Sequence, residues 1–431
     1  MIRATRTSIA TTFQEFFQSS TSAGIVIVAC TAFALAWINS PFSASYHALL
    51  ATPLQITVDA FRLDFTIEHF VNDGLMVVFF LVVGLEIKRE LLIGELSSRK
   101  KAMLPMIAAV SGMLVPGFIY AVFNIGTPAI RGWAVPVATD IAFALGILAL
   151  LGKRVPLGLK IFLAALAIVD DLLSVVVIAL FYTSTLHVAS LLWAAVIVVI
   201  LIIGNRSNVH SLLFYALAGI ALWLCFLSSG VHPTISGVVL AICIPSRSRI
   251  DQRSFLQRTR ELVNRIVARE EEQNDAIHAL ESLCEHVQSP LHRIEHSLQP
   301  WVSFGIMPLF AVVNAGVAFN SSVVTHLISP VSLGIILGLF LGKQLGVSFA
   351  VWLSVRLHWA ELPANVTMRN IYGVSILCGI GFTMALFVAH LAFTSNEDLE
   401  VAKLSILVGS FISAIVGSTL LRSSLPKTLP T

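Results

Sequence analysis

At 431 residues, the chain is 57% hydrophobic and only 12% charged, about half the roughly 25% charged share of a soluble protein. Many long apolar segments define a polytopic helical membrane protein. A net charge of +3 is too small to imply nucleic acid or another polyanion as partner. Five scattered cysteines (Cys30, Cys225, Cys243, Cys284, Cys378) show no CxxC spacing and support neither disulfides nor a zinc site.

Arg3 and Arg6 precede an apolar run over 23–38 that contains an A-x-A (Ala34, Ala36), as a signal peptide does. About twenty residues lead into that run, long for a signal's charged region. Ile9, Phe13, Phe16 and Phe17 recur at helical spacing. We therefore expect an amphipathic surface helix followed by the first span. Apolar runs then predict twelve spans, at 21–38, 68–87, 102–123, 132–151, 158–182, 188–204, 210–227, 231–244, 301–319, 331–355, 370–394 and 401–420. Lys88, Arg89, Arg99, Lys100, Lys101, Lys153, Arg154 and Lys160 fall in loops on one side, with Arg206, Arg356, Arg369 and Arg422. That bias puts both termini in the cytoplasm.

Two segments between spans stand out. Residues 54–67 alternate strictly, with Leu54, Ile56 and Val58, then Phe61, Leu63, Phe65 and Ile67. A break at Asp59-Ala60 predicts a β-hairpin on the outer face, with a dimer contact as its use; an ordinary loop is the alternative. Residues 246–300 carry eight Arg against nine acids, and Leu262, Ile266, Ile277, Leu280, Cys284 and Val287 fit helical faces. This insert reads as a cytoplasmic helical hairpin, or as a solvated linker without a role of its own. The division expected is a transmembrane domain over 1–424 holding the insert, and a tail over 425–431.

Two spans are interrupted. The fourth has Pro136 and then Thr139-Asp140 inside its apolar run; the eleventh clusters Gly373, Gly379 and Gly381 with Thr383. Irregular backbone at membrane depth survives only when buried in protein or lining a wet cavity. The broken spans are the middle members of two three-span groups, 3–5 and 10–12, which run in opposite directions. Either interruption alone reads equally as a helix kink or as part of a site; in matching positions they point to a transport site.

The fifth span carries two adjacent carboxylates, Asp170 and Asp171, near its centre. A charged Asp there costs about 2.5–3.5 kcal/mol or more. Adjacent helix positions point about 100° apart, so the two acids cannot face the same neighbour. Lys343 lies at depth in the tenth span, too far from either end to snorkel easily. A buried lysine needs a carboxylate, and Asp140, Asp170 and Asp171 are the candidates. No GxxxxGK[ST] phosphate loop occurs. Transport, if that is the function, is then driven by an ion gradient.

ALAIVDDL with ALFYT, ATDIAFALGILALLGKRVPLGLKIFL, NDGLMVVFFLVVGLEIKREL, PLFAVVNAGV and CGIGFTMALF together resemble the NhaA family of sodium/proton antiporters. The likeness covers roughly residues 10–424 apart from the insert. These transporters are a known inverted-repeat case, so the repeat argument and the resemblance are not independent. The resemblance implies an all-α membrane fold with two broken helices. It makes Asp171 the main ligand for Na⁺ or Li⁺, with Asp170 beside it and ion-paired to Lys343. Asp140, with Thr139, would balance helix-dipole ends where the broken helices cross, and Lys343 would balance the opposite ends. Glu86, Glu90 and Glu295 would form a cytoplasmic pH-response cluster. It also implies a bacterial inner-membrane location and no cofactor beyond the transported Na⁺, Li⁺ and H⁺.

The chain departs from the family in places. Gln299 stands before Pro300-Trp301 where many members have histidine, Leu173-Ser174 replace a common Gly-Ala, and the insert is long. If protons and Na⁺ compete for the same carboxylate oxygens and the empty charged form cannot cross, exchange is obligatory. Two protonatable groups serving one cation would make it electrogenic. The rivals are an intramembrane aspartyl enzyme and a passive cation channel. Paired acids on different helices and a GxGD run would mark the enzyme, and this chain has neither feature.

Overall fold

Runs of Leu, Ile, Val and Ala leave the backbone no hydrogen-bond partner in lipid except itself, so the chain folds as helices. The structure is a computed structural model describing residues 20–58, 61–183, 186–248, 252–268, 273–319 and 325–425. Within these, seven helices are long and apolar enough to cross a membrane, and up to nine if each of two bent pairs counts as one span. The predicted surface helix at 9–17 lies outside the described residues.

The chain begins with α1 (Ser20–Ile38) and α2 (Ser43–Leu50), bent by 115°. The predicted hairpin follows: β1 (Pro53–Val58) pairs antiparallel with β2 (Phe61–Thr66), in the register Val58↔Phe61 through Pro53↔Thr66. Its turn residues, Asp59 and Ala60, lie outside the described residues. Thr66 ends β2 and caps the next helix, its hydroxyl accepting from His69 N at 3.2 Å. That helix, α3 (Ile67–Leu92), is followed by α4 (Arg99–Asn124). Next come a 3₁₀ stretch (Pro128–Val137), α5 (Ile141–Leu150) and α6 (Leu157–Phe181).

α7 (Val188–Arg206), α8 (Leu212–Leu227) and α9 (Ile235–Cys243) form a second packed group against α3. α9 is only nine residues long. Its C-terminal carbonyls are capped by Lys88, whose Nζ donates to Ile242 O at 2.6 Å and also to Ile244 O. The insert is helical where described, as α10 (Gln252–Ala268) packed on α11 (Gln273–Val287).

The chain re-enters the bundle through α12 (Pro290–Trp301) and α13 (Met307–Asn314), joined by a π-helical turn. Asn72 and Asn314, both buried, exchange amide hydrogen bonds of 2.8 and 3.2 Å, so α3 and α13 are clasped together. The last elements are α14 (Pro330–Arg356), α15 (Met368–Leu377), α16 (Phe382–Ala392) and α17 (Asn396–Ser424). The main core runs through α3 to α6 and α13 to α17. The most buried polar side chains sit inside it.

Candidate functional site

Two helices are interrupted inside the bundle, and each interruption supplies what the other lacks. Before α5 the chain is extended through Ala138, Thr139 and Asp140. Pro136, which cannot donate a backbone hydrogen bond, stands two residues earlier. The second gap, Cys378–Gly381, separates α15 from α16 with a 48° bend. The gaps bond to each other: Asp140 N donates to Ile380 O at 2.7 Å, and Thr139 Oγ1 donates to Cys378 O at 2.9 Å. Close approach requires glycine. A Cβ at Gly381 would lie 3.0 Å from Ala138 O, and one at Gly379 would meet Ser413 Oγ at 2.6 Å.

Asp140 caps two helices at once. Its Oδ1 accepts from Phe143 N at 3.1 Å in the first turn of α5, and its Oδ2 accepts from Thr383 N at 3.2 Å in the first turn of α16. The Thr383 hydroxyl also donates to Oδ2. One carboxylate therefore meets the positive ends of two helix dipoles inside the bundle.

Asp170 and Asp171 lie in the middle of α6 and are buried to within 1%. Lys343 Nζ donates to Asp170 Oδ2 at 2.6 Å, with both side chains fully buried. Lys343 follows a π-helical turn over Gly338–Gly342, a wide turn that changes which face of α14 it occupies. Among the described residues it hydrogen-bonds Asp170 alone. The sequence offered three acids for this lysine, and the structure places it on Asp170. Asp170 Oδ1, Asp171 Oδ1 and Ser174 Oγ are buried without a hydrogen-bond partner among the described residues. Asp170 and Ser174 share a face at i, i+4, with Asp171 beside them. Carboxylate and hydroxyl oxygens are hard donors, but among the described residues no group of three or more His, Cys, Asp or Glu side chains is arranged to hold a metal ion.

At the far end of α3, Glu86, Glu90 and Glu295 gather around one guanidinium. Arg89 Nε reaches Glu295 Oε1 at 3.0 Å, and its terminal nitrogens lie 3.0 Å from Glu90 and 3.9 Å from Glu86. Sequence reasoning missed Arg89 as the hub, because it read as one more loop-side cation. It also placed no polar site at the opposite end. There His390 Nε2 meets Glu68 Oε1 at 2.8 Å, tying α16 to α3. Asp64, His69, Asp73, Tyr182 and His232 line a cavity of about 470 Å³ nearby.

Helices all round, ionisable groups gathered inside and two facing broken helices define a polytopic membrane protein with a buried ionisable centre. A family model described as Na⁺/H⁺ antiporter 1 matches residues 14–421, and the chain belongs to that family. Relatives named Na(+)/H(+) antiporter NhaA include one from Koribacter versatilis, 47% identical over 97% of this chain and 93% of its own length. The Helicobacter pylori relative is 44% identical over 97% of this chain and 96% of its own. Klebsiella pneumoniae has Na(+)/H(+) antiporter NhaA 1, 45% identical over 96% and 97%.

Proposed function

We infer that the protein is a secondary transporter exchanging Na⁺ for H⁺ across a membrane, with Li⁺ as an alternative cation. One observation carries the reading: two buried carboxylates stand side by side in α6, one held by a lysine and the other carrying an oxygen without a partner among the described residues. The family membership supports it. Relatives named as antiporters lend nothing to the aspartyl-enzyme or channel alternatives.

In this reading Asp171 carries the cation, with Asp170 as its neighbour. A buried carboxylate is costly unless a proton, a cation or a fixed partner neutralises it. Asp171 alternates between the first two, and Asp170 is held by Lys343. Protons and Na⁺ compete for one set of oxygens, and the uncompensated charged form does not cross. Exchange is electrogenic if two protonatable groups serve one cation. Asp140, with Thr139, holds the crossing, while Lys343 offsets the opposite helix ends. Glu86, Glu90 and Glu295 respond to cytoplasmic pH through Arg89.

The architecture we propose has twelve spans, with the three-span groups 3–5 and 10–12 as inverted repeats. It sits in the bacterial inner membrane with both termini in the cytoplasm, the bias of its Lys and Arg residues supporting that orientation. The transmembrane domain covers 1–424, with 246–300 as an insert and 425–431 as a tail.

In everted vesicles respiring to an acid interior, adding NaCl should dequench a pH dye, more strongly as pH is raised. LiCl should do the same. No response above a vector control at any pH would overturn the reading. Repeating the series without residues 250–290 shows whether the insert shapes the pH dependence.

The hairpin supplies the dimer contact. β1 and β2 pair only with each other among the described residues, so both outer edges offer backbone groups to a second copy. Replacing residues 54–65 with a short Gly-Ser linker should convert dimers into monomers that still exchange ions. An unchanged mass by light scattering would count against the contact.

A further inference from the structure

We propose that α10 of the insert is a docking face for an anionic lipid surface, holding the hairpin against the membrane from which it emerges. Three observations lead there. The first is an apolar excess: on α10 Phe255 and Leu262 are half-buried, yet Leu256 and Val263 remain 63% and 43% exposed. Leu256, Arg260 and Val263 are spaced i, i+4, i+7 and form one stripe, which lines a surface groove with Gln257 and Asn264. α11 does not cover that stripe.

The second observation is charge. α10 contains Arg253, Arg258, Arg260 and Arg265 against Glu261 alone, whereas α11 contains Asp275, Glu281 and Glu285 and no Lys or Arg. Arg258 and Arg260 are exposed. The hairpin is near neutral as a whole but polar across its width, one helix basic and the other acidic. A helix that adds exposed arginines to an exposed apolar stripe has the composition of an interfacial membrane binder.

The third is tethering. α9 ends at Cys243 and α10 starts at Gln252, while α11 ends at Val287 and α12 starts at Pro290. Connections of only eight and two residues keep the hairpin close to the bilayer, so even a weak surface affinity is fully expressed. The basic helix then turns to the lipid headgroups and the acidic helix to water. This inference is independent of the ion-exchange reading.

The test uses the full-length protein with its five native cysteines replaced, carrying a fluorescent probe at Asn264→Cys on α10 or at Glu281→Cys on α11. Each is reconstituted in nanodiscs of phosphatidylcholine alone or with phosphatidylglycerol added. Iodide quenching of the α10 probe should fall by about threefold or more in the anionic discs. The α11 probe should not change, and R258E together with R260E should abolish the protection. Equal quenching in both lipids, or equal protection of both probes, would overturn the proposal. So would protection that grows with protein concentration in detergent, which would mark a second copy as the occupant.

Discussion

Asp171→Asn should reduce NaCl-induced dequenching to the level of vesicles lacking the transporter. The amide keeps the size of the side chain and one oxygen, but it cannot alternate between a bound proton and a bound cation. Outer-sphere changes alone cost about 10–100-fold in metal affinity, so loss of a direct ligand should exceed about 100-fold. Protein yield and melting temperature should hold or rise, because the amide no longer burdens the core with a buried carboxylate that has an unpaired oxygen. Asp171→Glu, which retains the chemistry but displaces it by one methylene, should keep partial activity with weaker cation affinity. Undiminished exchange with unchanged affinity in Asp171→Asn would remove this residue from the centre of the mechanism.

Lys343→Met should be the most destabilising of the charge substitutions. It would leave the Asp170 carboxylate fully buried without its cation, and breaking a pair of this kind costs about 3–5 kcal/mol. The measurable signs are a lower melting temperature in detergent and a displaced pH profile of exchange. The double variant, Asp170→Asn with Lys343→Met, distinguishes a pair from two separate sites. Removing both charges together is often close to neutral, so the double variant should recover much of the stability lost by the lysine variant. Additive losses, or an unaltered profile and melting point, would show that the 2.6 Å contact is energetically idle.

The features legible in the sequence were those in which chemistry violates its surroundings. Two acids in an apolar helix, a lysine at depth and a strict alternation over 54–67 each stood out without any knowledge of the fold. The hairpin formed at the expected place. Pro136-Thr139-Asp140 and the glycines near 380 marked the breaks because they are poor helix interiors. Distant pairing was legible only through the family resemblance, as for Lys343 and Asp170, and not from local pattern. Nothing local to Thr139 says that its hydroxyl serves a carbonyl 239 residues away. Arg89 and Lys88 looked alike as loop-side cations, yet one gathers three carboxylates and the other caps the carbonyls of α9. Span length was obscured for a related reason. The eighth span was expected over 231–244, whereas the helix within it has only nine residues and its end is completed by a lysine from another helix.

The mutual bonding of the two breaks also bears on how the protein is made. While the first half is being synthesised, the extended stretch at 138–140 has no partner, because Cys378 and Ile380 do not yet exist. At about 5–20 residues per second, the wait is roughly 10–50 s. During that interval the nascent chain carries unsatisfied peptide groups and a double-capping carboxylate with only one helix to cap. Water, the insertion machinery or a transient helical extension through the gap must shelter them until the second half arrives. Late assembly at one crossing, more than insertion of individual spans, should then limit how quickly the membrane acquires a finished molecule.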